Sequence, residues 1–376
     1  MRIFQAIKAS TNPNVPGSQT WYRNLYEPLV ELGHEVLLFP TGGFGKLRSN
    51  PVAREQFSTQ LWDTFHHEHT VKPFQLFFSY LMDGMVDLTV IDRIRATGVP
   101  TCNFSCNNIH QFDLVDEISP HFEFNLHAEK NAREKFLSVG ANPLWWPMAS
   151  NPKYFHPVDV PRSVEASFVG ENYALRARYI GYLLENGIDV HAYGPRWQHG
   201  STSRWRSWAK RLKYLALSAA TLDPQSQVRA SANLADHDYR RYLSARFPGN
   251  LHPPVSDEEL IALYSRSQVS LGFLEVYHQH DPAQPVVRHL HLREFEAPMS
   301  GALYCTGYSD ELTEFFEPDR EVVAYHSQYE LLDKVKYYLS HPQQAAQVRQ
   351  AGRLRALNDH TYQRRYRQLF ETLGFE

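Results

Sequence analysis

From residue 288 to 325 the chain reads RHLHLREFEAPMSGALYCTGYSDELTEFFEPDREVVAY, and several side chains in this stretch could grip one ligand. Arg288 and Arg293 carry permanent positive charge suited to a phosphate or diphosphate. Glu294 and Glu296 offer carboxylates at a helix start, and a carboxylate there can accept both hydroxyls of a ribose. Glu296 is the candidate for that role. The alternative is that both glutamates are first-turn acids favoured by the helix dipole. Pro298 fits a helix only in its first turn, so the spacing predicts a helix beginning near Glu294 or Glu296 and closed by Gly301. The amides and positive dipole end of such a helix make a phosphate seat.

Other segments carry compatible chemistry. Gly17 and Ser18 lie in the loop after a first strand, Arg2 to Ile7, where a ligand can approach the backbone or where Ser18 merely caps the next helix. The loop 105–113 follows the strand beginning at Thr101 and holds His110 and Asp113, each able to act as a base. His278, His280 and Asp281 are spaced by two on a loop and match no strong zinc signature, so no metal site is expected. Asp236-His-Asp238 falls in an irregular basic stretch and is read as chance. Dinucleotide-binding, phosphate-loop and nucleophile-elbow signatures do not occur.

These residues must be positioned by elements, and the elements alternate. Strands at 2–7, 34–39, 75–79, 101–104, 122–126 and 144–146 are separated by helices, which implies a parallel sheet with ligands at the carboxyl ends of the strands. Pro143, Pro147, Pro152, Pro157 and Pro161 then mark a linker. The strand at 166–169, Gly170, a helix bearing Leu175, Tyr179 and Leu183, and a strand reaching Tyr193 repeat the opening pattern. The expected fold class is α/β, with two Rossmann-like domains at 1–155 and 156–376. Residues 196–246 interrupt the second with ten Arg or Lys against three Asp. There Trp205, Trp208, Leu212, Leu215 and Ala219 form an apolar stripe on a basic helix. Residues 201–220 thus suit an anionic membrane surface or an acidic acceptor, or simply pack on their own domain.

At 376 residues, 43% hydrophobic and 21% charged, the composition is that of a soluble two-domain protein. A net charge of -3 gives no overall attraction to nucleic acid. The three cysteines, Cys102, Cys106 and Cys305, form no paired framework, and the start lacks a signal-peptide apolar region. A cytoplasmic location is expected.

The runs FVGENYALR (168–176), HAYGPRW (191–197), LREFEAPMSGALY (292–304), DELTEFFEPDREVVAY (310–325) and HTYQRR (360–365) together resemble the CgeB-like, spore-maturation branch of the GT-B glycosyltransferases. The resemblance implies two Rossmann-like domains facing each other across a cleft. It further implies metal-independent transfer of a sugar from a nucleotide donor such as a UDP- or GDP-sugar, with no other cofactor, onto an acceptor that it leaves unnamed. Gly170 and Gly194 would let the diphosphate approach, and Arg176 would supply charge. Arg293 and Glu296 match the family's Arg-x-Phe-Glu. Glu296 also matches the second glutamate of the two-glutamate signature of related retaining enzymes. Arg288 stands where the first glutamate would be, so that signature's stereochemistry does not carry over. An inverting enzyme would add a base, for which His110 and Asp113 are the candidates. The rival reading is a non-catalytic nucleotide- or carbohydrate-binding protein on the same fold.

Overall fold

The first strand, RIFQAI, has no polar face to show to solvent, and every one of its residues is buried. Such a strand belongs inside a parallel sheet covered on both sides. In the computed structural model, which describes residues 1–10, 19–41, 43–198, 238–277 and 286–375, that is where it lies. Strands β1 (Arg2–Ile7), β2 (Glu35–Pro40), β3 (Leu76–Ser79), β4 (Thr101–Ser105), β5 (Phe124–His127) and β6 (Pro143–Trp145) form one parallel sheet in the order β2-β1-β3-β4-β5-β6. Gly17, Ser18, residues 201–220, His278, His280 and Asp281 lie outside the described residues.

The helix expected after β1 is a π-helical turn, Tyr22–Tyr26, running into Glu27–Glu31, with Leu25 and Leu29 fully buried. Residues 51–71, which show no clear period, form a single helix. Asn50 caps it by accepting from the Ala53 amide, and Pro51 occupies its first position. Its buried face is Phe57, Leu61 and Phe65 at every fourth residue, a stripe too narrow to stand out among the histidines around it.

The second sheet contains β7 (Val164–Val169), β8 (Val190–Tyr193), β9 (Leu251–His252) and β10 (Ser267–Leu271). After a separate antiparallel pair, β11 (Glu275–Tyr277) and β12 (Val286–Arg288), come β13 (Tyr304–Gly307) and β14 (Val323–Tyr325). Its order is β14-β13-β10-β7-β8-β9, again parallel. The β11–β12 pair is not among the strands expected from the sequence. Glu275 pairs with Arg288, Val276 with Val287 and Tyr277 with Val286. These runs of three residues are too short to declare an alternation.

Two further differences bear on function. The helix carrying the glutamates spans Arg293–Met299, so Pro298 sits near its end and not in its first turn. The missing proline N–H forfeits a single bond, to the Glu294 carbonyl, and the helix stops one residue later. Gly301, at φ 72°, makes the left-handed turn that follows. The chain also divides differently from the expected cut at 155/156. Met1–His156 groups with His289–Met299 and Leu354–Glu376, and Pro157–Arg288 groups with Ser300–Arg353. The C-terminal helix Tyr362–Thr372 joins the first unit through side-chain bonds: Tyr366 donates to the Leu25 carbonyl at 2.8 Å, and the Trp146 indole donates to the Arg365 carbonyl at 3.0 Å. Phe295 packs edge-on against His360, which brings its short helix along.

Gly272, directly after β10, shows how tightly the second unit's centre is filled. A Cβ there would lie 2.2 Å from the Tyr304 hydroxyl and 2.7 Å from Thr306 Oγ1. Its carbonyl accepts from the Tyr325 hydroxyl at 2.8 Å. Gly272→Ala is therefore expected to destabilise the protein by about 1–3 kcal/mol, the range for forcing atoms into a filled core. Urea denaturation checks this, and an unchanged midpoint would show that the tyrosines yield freely.

Candidate functional site

The residues singled out by sequence fall into two groups, one in each unit. In the first unit the loop after β4 is shaped by a carboxylate that the sequence did not reveal. Glu129, 2% exposed, accepts the amides of Asn107 at 2.5 Å and Asn108 at 3.1 Å. Asn107 adopts φ 65°, a left-handed geometry tolerated by asparagine. His127 holds Glu129 from behind, its Nδ1 bonded to the Glu129 carbonyl at 2.9 Å, and the Lys135 ammonium donates to the Ile109 carbonyl. The loop is thus fastened at three successive residues.

His110 is carried inward by this loop. Its ring centroid lies 4.8 Å from that of His289, which in turn lies 4.2 Å from His291. His289 is buried, donates Nδ1–H to the Leu290 carbonyl at 2.9 Å and stands 3.8 Å from Glu129. Glu294, fully buried, accepts from the His291 amide. Thus Glu294 reaches back to secure the turn before its own helix, as a capping carboxylate does. Glu296 is buried and Arg293 half-buried on that helix. Asp113 is exposed on the short 3-10 turn Phe112–Leu114. His289 and Glu129 were missed because neither belongs to a spaced motif; the only signal is a polar residue at the edge of an apolar run.

In the second unit Gly170 and Gly194 meet at the carboxyl ends of β7 and β8. The Gly170 amide donates to the Tyr193 carbonyl at 2.8 Å, and its own carbonyl accepts from the Trp197 indole at 2.7 Å. Gly194 has φ 145°, and a Cβ on it would fall 2.3 Å from the Gly170 oxygen. Only glycine fits. Arg176 opens the helix Arg176–Glu185 and is 1% exposed. Its guanidinium donates to the Glu171 carbonyl at 3.0 Å, the Tyr173 hydroxyl at 2.6 Å and the Phe273 carbonyl at 3.4 Å, and lies 3.7 Å above the Tyr173 ring. It braces the glycine turn from inside and is not an open cation.

Arg288 is the half-exposed cation of this group. Its Nε and Nη2 each lie 3.1 Å from Glu275 Oε1, and Nη1 donates to the Tyr308 carbonyl at 2.9 Å. Glu275 is 2% exposed and also accepts from the Tyr179 hydroxyl at 3.4 Å. Burial, reinforced by this carboxylate, pushes the Tyr179 phenol up to about 12. Among the described residues no group of three or more His, Cys, Asp or Glu is placed to hold a metal ion, and no helix is long and apolar enough to cross a membrane.

The chain matches the family model described as "Glycosyl transferase-like" over residues 176–371, just over half its length. Solved structures similar to it over nearly the whole chain share little sequence. Sucrose-phosphate synthase from Thermosynechococcus elongatus has a TM-score of 0.60 at 13% identity, covering 100% of this chain and 99% of that one. A glycosyltransferase from Rickettsia africae gives 0.59 at 12%, covering 99% and 97%. HepE from Anabaena, solved in complex with UDP and glucose, gives 0.60 at 9%, covering 99% of both chains. These likenesses show the fold, which is GT-B. No curated protein matches the chain in sequence.

The loop beyond His110 is anchored by a second buried acid. Asp83 accepts from the Ile118 amide at 2.7 Å and the Glu117 amide at 3.3 Å. Burial pushes its carboxyl up to about 7; Asp116 beside it adds to this, and the two amides oppose it. The folded value lies above the unfolded one, so the contribution to stability is complete below the unfolded pKa near 3.8 and is lost as pH rises to about 7. Asp83→Asn should therefore flatten the fall in melting temperature between about pH 4 and 7. A variant whose pH profile parallels that of the parent would assign the slope to other groups.

Proposed function

The chain belongs to the glycosyl transferase-like family, and we propose that it moves a sugar from a nucleoside diphosphate donor to an acceptor without a metal. We place it in the CgeB-like branch on the combination of sequence runs quoted above. The observation that carries the reading is Arg288: a guanidinium held at two nitrogens by a buried carboxylate, and at the third by a backbone carbonyl, keeps its charge fixed. As the glycosidic bond breaks, negative charge grows on the departing diphosphate. A cation already in place stabilises that charge without reorganisation. Arg293 would add to it.

The remaining roles follow from how each side chain is held. Gly170 and Gly194 form a turn without side chains, which suits close approach of a diphosphate. Arg176 would act through that turn, as a positioning residue. Glu296 would accept the ribose hydroxyls, while Glu294 is already committed to the turn before the helix. For an inverting reaction His110 is the better base than Asp113, because its ring is held by the Glu129-anchored loop and by His289. A UDP-sugar is the first donor to try, since HepE has also been solved with UDP-glucose, at a TM-score of 0.56 and 11% identity. The basic residues 201–220 would take an acidic acceptor or an anionic membrane surface.

Two substitutions test the reading. Glu296→Gln should weaken nucleotide binding by about 1–3 kcal/mol with folding intact, measured by calorimetric titration; unchanged affinity removes the ribose role. Arg288→Ala, combined with Glu275→Gln so that no carboxylate is left buried alone, should cost about a hundredfold in turnover with a smaller loss in donor affinity. Equal losses in both would demote Arg288 to ground-state binding. A parent protein that binds donors yet releases no nucleotide, with or without acceptor, would overturn the enzymatic reading.

A further inference from the structure

At the amino ends of β7 and β10, the opposite end of the strands from Gly170, three arginines gather without an acid. Arg162 donates Nη1 to the Ser267 carbonyl at 2.7 Å and Nη2 to the Gly301 carbonyl at 3.0 Å. Arg349 donates to the next carbonyl along, Gln268, at 3.3 Å. Arg353 follows Arg349 by four on the helix Pro342–Asp359 and so shares its face. Its Cδ lies 3.9 Å from where a Gly301 side chain would begin. Among the described residues none of the three meets a carboxylate. The Arg353 Nε is buried and makes no hydrogen bond.

Such an arrangement is costly by itself. Like charges four apart disfavour a helix, and a guanidinium taken from water without a counter-charge is strongly disfavoured. Burial, with the Arg162 charge beside it, pulls the Arg349 guanidinium down to about 10. Carbonyls explain Arg162, which closes two helix ends, but they satisfy only one donor of Arg349 and none of Arg353. Two forks with free donors on one helix face, beside a third cation, match the several oxygens of a tetrahedral dianion.

We infer that Arg349 and Arg353, backed by Arg162, form a binding site for the phosphate group of a small soluble phosphate compound. The site is independent of the donor residues assigned above, and it stands or falls apart from the catalytic reading. Arg353→Gln isolates it, because that side chain makes no hydrogen bond whose loss would threaten folding.

The test is the melting temperature of the full chain against increasing inorganic phosphate, with sodium chloride at matched ionic strength as the reference. The parent protein should show a saturable rise. In Arg353→Gln the phosphate affinity should fall about 10- to 100-fold, as for loss of charged hydrogen bonds. Phosphate held elsewhere would shift both proteins alike. In chloride alone the variant should melt at or above the parent temperature, since a repulsive charge has been removed; a structural clamp would instead give a lower melting point. A parent protein with no saturable rise, or a variant with an undiminished one, overturns the site. Flotation with vesicles containing phosphatidic acid separates the two sources of phosphate. If Arg353→Gln abolishes flotation while free phosphate gives no saturable rise, the ligand is a lipid headgroup and the soluble assignment fails.

Discussion

A carboxylate removed from water has to be matched on the spot, and Glu275 is where the second unit meets that demand. It stands just after β10, at the point where the chain leaves the sheet, and its first oxygen draws in Arg288 and the Tyr179 hydroxyl. Arg288 is thereby fixed to the opposite strand of a hairpin only three pairs long. A ribbon that short is marginal alone. The ion pair at its root, together with the bond from Arg288 to the Tyr308 carbonyl, makes its geometry definite. Tyr179 extends the same network into the helix that Arg176 begins, so the glycine turn and the cation share one support.

The first unit solves a parallel problem with Glu129. There the buried acid accepts from two consecutive backbone amides, which orients a loop closely. The left-handed Asn107 is held by that bond, and the turn it makes sends His110 toward His289. In both units, then, a buried carboxylate sets the direction of a polar group that is not itself fully buried or is aimed at one that is. The chemistry sits on loops, while its precision comes from acids in the interior.

Much of this was legible in the sequence and some of it was not, for physical reasons. The strands β1, β7 and β13 announce themselves because each carries apolar residues on both faces, as buried parallel strands do. Arg293 and Glu296 stood out through type and spacing, and Gly170 and Arg176 through the family resemblance. The hairpin did not, because Glu275 and Arg288 are thirteen residues apart and their pairing is a tertiary event. The inward position of Arg176 was equally hidden: as the first helical residue it could face either way, and its bonds to the Glu171 and Phe273 carbonyls and the Tyr173 hydroxyl are tertiary and local contacts that no spacing announces. The division of the chain also depended on packing. Nothing in the sequence of 289–299 says that Phe295 will meet His360, or that Tyr366 will bond to Leu25. Pro298 misled for a simpler reason: in a helix of seven residues one lost bond is tolerable near the end.

The position of Arg288 gains meaning from the same network. In the two-glutamate signature whose second glutamate Glu296 matches, a carboxylate occupies this place. Here the carboxylate is on the neighbouring strand, buried beneath the arginine instead of presented at the surface. The pair remains nearly neutral as a whole. Its outward end, however, is now a guanidinium, so the potential felt by an approaching ligand changes sign while the cost to the interior stays low. Where that pattern has a carboxylate, this chain has a guanidinium fixed by Glu275 and the Tyr308 carbonyl. Such an exchange reverses the charge that this position presents, while the Arg288–Glu275 pair itself stays close to neutral.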